Sequence, residues 1–73
     1  MRELSKHFLA ARIKSGLYQK QLAEITGIQQ CTISRFEQGR QDITLDTAKK
    51  LSLALKNESL NKEIRDYLVN MFS

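Results

Sequence analysis

Apolar positions recur at intervals of three and four along nearly the whole chain, and no stretch alternates apolar and polar at a period of two. That pattern predicts helices and no strand. Over residues 3–15, Leu4, Phe8, Ala11, Arg12 and Ser15 share one face. Two shorter segments follow, 19–26 (QKQLAEIT) and 30–38 (QCTISRFEQ), and then a polar GRQD stretch. Thr44 is a good N-cap for a fourth helix, with Asp46 favourably placed in its first turn and Leu45, Ala48, Leu51, Ala54 and Leu55 as its apolar face. Asn57, Glu58 and Ser59 mark a break. Beyond it, 60–72 sets Leu60, Ile64, Tyr67, Leu68, Met71 and Phe72 on one side. Gly16, Gly27 and Gly39 each end a helix-favouring segment, where a positive φ is wanted, and there is no proline to interrupt a helix. The expectation is one all-α domain over 1–73: a four-helix core in 1–56 and a C-terminal helix in 59–73.

Residues 19–38 read as two helices joined by a tight turn and crossing steeply. A close crossing needs a small residue in the first helix, and Ala23 supplies it; the turn needs the freedom of Gly27 four positions on. Leu22, Ile28, Ile33 and Phe36 are spaced to meet beneath the crossing. The second helix is then anchored on Ile33 and Phe36 and turns Gln30, Cys31, Ser34 and Arg35 outward. That outward face is rich in base-reading chemistry. Glutamine matches adenine N6 and N7, and arginine matches guanine O6 and N7, each with two hydrogen bonds.

Seventy-three residues allow one core and little else. Twelve Lys+Arg against eight Asp+Glu give a formal net charge of +4, which favours a polyanionic partner. A single cysteine excludes an intramolecular disulfide and fits a reducing compartment. No apolar run is long enough for a bilayer, and residues 1–15 lack the apolar stretch of a signal peptide, so the expected location is the cytoplasm. No nucleophile–base pair, phosphate loop, metal-ligand set or cofactor motif is visible. The expectation is therefore no catalytic residue, no metal, no cofactor and no small-molecule ligand.

The run LYQKQLAEITGIQQCTISRFEQGR, with Gln19, Leu22, Ala23, Gly27, Ile33, Ser34, Glu37 and Gly39 in place, resembles the lambda-repressor/Cro-type helix-turn-helix family, often called the XRE family. The similarity runs from about Leu4 to Leu55. It implies a five-helix lambda-repressor-like fold, with helices two and three as the helix-turn-helix and the third in the major groove of double-stranded DNA. It places Gln29, Gln30, Cys31, Ser34 and Arg35 on base-contacting positions, and Gln19, Lys20, Arg12 and Arg40 beside the DNA backbone. It also pairs Arg12 with Glu37 as a buried ion pair between helices one and three. The implied role is a bacterial or phage transcriptional repressor bound as a homodimer to a near-palindromic operator. GIQQCTISRFE is also similar to HipB-type antitoxins, which would add a toxin partner, and a restriction–modification controller is a further reading.

Four departures from the family pattern stand out. Tyr18 occupies the place of a small capping residue, so the second helix is expected to lose its N-cap. Ile25-Thr26 reverses the usual polar-then-apolar order before the glycine. Cys31 replaces a hydrogen-bonding side chain at a contact position. Asp42 stands where basic residues are common, which weakens the expected grip of that loop on a backbone.

Plainer readings exist for several of these residues. Arg35 could be a solvated charge, Cys31 a small spacer against a thymine methyl or a redox switch, and His7 a surface residue. The whole could be a helical protein-interaction module. The apolar side of the last helix could close the monomer core. Its Ile64, Tyr67, Leu68, Met71 and Phe72 exceed what one small core should absorb, however, and are assigned to the dimer interface.

Overall fold

The computed structural model describes residues 1–72, and the side chains of 1–71. A 3-10 turn at Arg2–Leu4 opens the chain. Five helices follow: α1 (Ser5–Lys14), α2 (Gln19–Thr26), α3 (Gln30–Glu37), α4 (Leu45–Leu55) and α5 (Glu58–Phe72). No strand occurs among the described residues. The chain is all-α, with α2 and α3 as the expected helix-turn-helix.

Local chemistry explains where each helix stops. At the end of α3 the Gly39 N–H donates to Phe36 O at 2.9 Å and the Arg40 N–H to Arg35 O at 2.9 Å. This paired closure requires a left-handed residue, and Gly39 has φ +73°. The end of α1 closes the same way through Gly16 and Leu17. At α4, Lys56 takes the left-handed conformation instead, at φ 48°, so a stop is made here with no glycine to announce it.

The start of α5 differs from the expected boundary. Asn57 Oδ1 accepts the Leu60 N–H at 3.0 Å, which makes Asn57 an N-cap and draws Glu58 and Ser59 into the helix. Thr44 caps α4 in the same manner, its Oγ1 accepting from Thr47 N at 3.2 Å.

The core gathers Leu4, Phe8, Ala11, Leu22, Ile33, Phe36, Ala48, Leu51, Leu55 and Leu60, one or more from every helix. Phe8 of α1 and Phe36 of α3 meet edge to face, their centroids 5.1 Å apart. Burying a side chain of this size contributes about 1.5–3 kcal/mol, so α3 is held chiefly by Ile33 and Phe36. Leu45 does not join this core as its spacing suggested. It sits in the first turn of α4, overhangs the core and stays 38% exposed, leaving the face to Ala48, Leu51 and Leu55.

The apolar side of α5 divides. Leu60 is fully buried, and Ile64 and Tyr67 pack against the core, so part of the surface assigned to a dimer closes the monomer instead. Leu68 is half-buried, while Val69 and Met71 are exposed. The Phe72 side chain lies outside the described residues. No helix among those described is long and apolar enough to cross a membrane.

Candidate nucleic-acid interface

The turn between α2 and α3 is built by Gly27, at φ +75°, whose N–H donates to Ala23 O at 2.9 Å. Thr26 locks the same turn from its side chain. Its hydroxyl donates to Leu22 O at 2.8 Å, and its oxygen accepts the Ile28 N–H at 3.3 Å. The reversed Ile25-Thr26 order thus has a structural result: Thr26 staples the turn and Ile25 faces solvent, 61% exposed.

Helix α3 has one seated face and one bare face. Ile33, Phe36 and Glu37 are buried; Gln30, Cys31 and Arg35 are exposed, with Ser34 between the two. Gln30 and Arg35 make no side-chain hydrogen bond or ion pair with any described residue. Ser34 Oγ is partly engaged, accepting from Gln38 Nε2 at 3.2 Å. Cys31 Sγ lies 3.6 Å from Gln29 Oε1, a weak contact that leaves both groups exposed. The five residues expected at the bases therefore cluster on one surface, two of them wholly free to take other partners.

Behind α3 lies a polar lock. Arg12 Nε donates to Glu37 Oε2 at 2.6 Å and Nη2 to Glu37 Oε1 at 3.1 Å, while Nη1 donates to Leu17 O at 2.8 Å. Gln19 Nε2 adds a bond to Glu37 Oε1 at 2.8 Å. A two-armed guanidinium–carboxylate bond is short, directional and strong, so it fixes the rotation of α3 against α1 and α2. Every nitrogen of the Arg12 guanidinium is engaged inside the fold, which leaves little of it for a phosphate. Every buried side-chain nitrogen and oxygen among the described residues has a partner.

Around α3 stand the groups suited to phosphates. Tyr18 gives α2 no side-chain cap, as expected, but Gln21 Oε1 takes the Tyr18 N–H at 2.8 Å, the reciprocal half of a capping box. The first N–H groups of α2 consequently stay open beside Gln19 and exposed Lys20, a setting that favours an anion. The glutamine three residues into the helix was the visible signal for this half-cap. Arg40 is exposed just past Gly39, its backbone position set by the bond to Arg35 O and its side chain only 3.4 Å from Gln38 Oε1.

Asp42 does not simply add negative charge to that loop. It pairs with the Met1 ammonium and accepts the Ile43 N–H at 2.9 Å. The ammonium holds its carboxyl below the usual aspartate range. On the other side of the same turn, the Tyr67 hydroxyl interacts with Glu3, which lowers the Glu3 carboxyl and raises the Tyr67 phenol. The 3-10 turn is thereby tied to both α5 and the loop after α3. Neither tie was foreseeable from spacing. His7 is exposed and lies 3.7 Å from Glu63 of α5. No group of three His, Cys, Asp or Glu among the described residues could hold a metal.

Comparison with known proteins agrees with this geometry. A family model described as helix-turn-helix matches residues 9–61, from α1 into α5. No curated protein and no solved structure matches the chain.

Proposed function

Because the chain belongs to the lambda-repressor/Cro-type helix-turn-helix family of DNA-binding transcription regulators, we propose that it acts as a repressor, bound as a homodimer to a near-palindromic operator. The observation that carries this reading is the division of α3. One side is fixed by Ile33, Phe36 and the Arg12–Glu37 lock, and the other presents unengaged Gln30 and Arg35. A rigid helix with free bidentate side chains is what direct readout in the major groove requires.

In this reading Gln30 and Arg35 select bases, and Gln29, Cys31 and Ser34 shape the contact around them. Gln19, Lys20 and Arg40 hold phosphates on either side. Arg12 serves by orienting α3 through Glu37 rather than by touching the backbone. One helix reads only a few base pairs, so a second copy is needed to define an operator. Two copies joined along the end of α5, through Leu68, Met71 and Phe72 with Ile64 and Tyr67 behind them, would set two recognition helices about 34 Å apart. Repression then follows from occupying a promoter.

Selection from random-sequence duplexes, read by gel shift and sequencing, tests the reading. The expected product is a near-palindrome with half-sites about one helical turn apart. Enrichment of no sequence would overturn it, and a lone half-site would overturn the dimer.

A further inference from the structure

The outer side of α4 carries an apolar surface outside the proposed DNA contacts, reaching the core only through Ala54 and Ile64. Leu53 stands on it as a ridge, 74% exposed. On one flank lies a groove of about 320 Å³ between α4 and α5, lined by Lys49, Ser52, Leu53, Asn61, Ile64 and Arg65. On the other flank a second depression is lined by Leu53 and Ala54, by Ile25 and Thr26 at the end of α2, and by Lys50. The floor is pre-formed, since Ser52 Oγ bonds Asn61 Oδ1 across the two helices.

The charged side chains that line the two depressions have one sign. Lys49, Lys50 and Arg65 line the two depressions and no acidic side chain does. Lys50 has a partner in Asp46 at 3.7 Å, whereas Lys49 and Arg65 have no ion pair with a described residue. We propose that this ridge and its two depressions dock an acidic amphipathic helix of a partner protein. Apolar side chains at i, i+3, i+4 and i+7 of the partner would straddle Leu53, and carboxylates flanking them would meet Lys49 and Arg65.

Other occupants fit less well. A second copy placed on a two-fold axis here would bring Lys49 and Arg65, neither ion-paired with a described residue, close to the same two cations of its partner. Nucleic acid would find the cations but gain nothing from Leu53, Ile25 and Ile64. The surface shares no residue with α3 or with the loop after it, so such a partner and DNA engage separate parts of the chain. The proposal does not rest on the repressor reading, and the two share only Ile64, which stands behind the proposed dimer contact.

Two designed helical peptides decide it, both with leucines at i, i+3, i+4 and i+7, one flanked by glutamates and the other by lysines. In fluorescence anisotropy the glutamate peptide should bind at least about tenfold more tightly than the lysine peptide. Leu53→Asp should remove that binding without changing the circular dichroism, and Lys49→Glu with Arg65→Glu should invert the preference. Amide shifts on binding should centre on Leu53, Ile64 and Arg65. Equal binding of the two peptides, or of neither, overturns the proposal. So does a short oligonucleotide that shifts these same amides, or a loss of dimer mass in Leu53→Asp, since each assigns the surface to another occupant.

Discussion

Gln19 Nε2 sits 2.8 Å from Glu37 Oε1, so the residue at the mouth of α2 is bonded to the buried carboxylate that orients the recognition helix. A phosphate drawn to the start of α2 would therefore meet a side chain already fixed by α3. In the proposed reading, backbone grip and base reading are joined through one oxygen.

Glu37→Ala should cost about 3–5 kcal/mol in urea unfolding, because it strands the Arg12 guanidinium among buried groups. Replacing both partners, Arg12→Met with Glu37→Leu, should recover most of that stability. DNA affinity should stay low in the double variant, since α3 has lost its rotational lock. A double variant with full affinity would show that core packing alone orients the helix.

Arg35→Ala should weaken binding to the selected site by about 1–3 kcal/mol and flatten preference at one base pair. Arg40→Ala should weaken binding to all sequences alike and reduce the slope of log affinity against log salt by about 1. Identical behaviour of the two variants in a selection experiment would refute the division of roles.

The N-terminal turn should respond to pH through Asp42 and Glu3. Both carboxyls are lowered in the folded chain, so their contribution is fully present above the ordinary range near pH 4. It is lost as pH falls through their lower folded values. Tyr67, raised by its bond to Glu3, contributes below about pH 10 and loses its part as pH rises past its folded value. Carboxyl-carbon NMR should find Asp42 titrating below the usual aspartate value, and Tyr67→Phe should return Glu3 towards its own. An ordinary Asp42 titration would mean that the ammonium pair does not form in solution.

Leu68→Lys with Met71→Lys should give a folded monomer by light scattering, with operator binding reduced at least about tenfold. Neither side chain belongs to the buried core, so the helical circular dichroism should survive. An unfolded double variant would place this end of α5 in the monomer's own core.

Much of this architecture could be read from residue order because its determinants are local. Helices α2 and α3 follow from Ala23, Gly27, Ile33 and Phe36, all within one short stretch. The start of α5 is hidden because Asn57 looks like a break in the pattern, although the same residue type makes a strong N-cap. Leu45 shares the apolar spacing of α4 yet stays outside the core, because spacing gives a face but not the point at which a helix overhangs its core. Nothing local could join Met1 to Asp42 or Glu3 to Tyr67, since those ties depend on how distant elements pack. The Arg12–Glu37 pair also joins distant residues, and only the family resemblance, not spacing, implies it.

Helix α3 is only eight residues long. Free in water, a helix needs roughly 12–15 residues to persist, so this one exists only while Ile33 and Phe36 remain seated. A peptide copied from 30–37 should be disordered and unable to read DNA, and any opening that unseats Phe36 erases the reading surface with it. The coupling also runs in reverse. Operator held at a hundred times its dissociation constant would add about 2.7 kcal/mol to the folded state. Copies not on DNA would then open, and meet a protease, more often than copies bound to it.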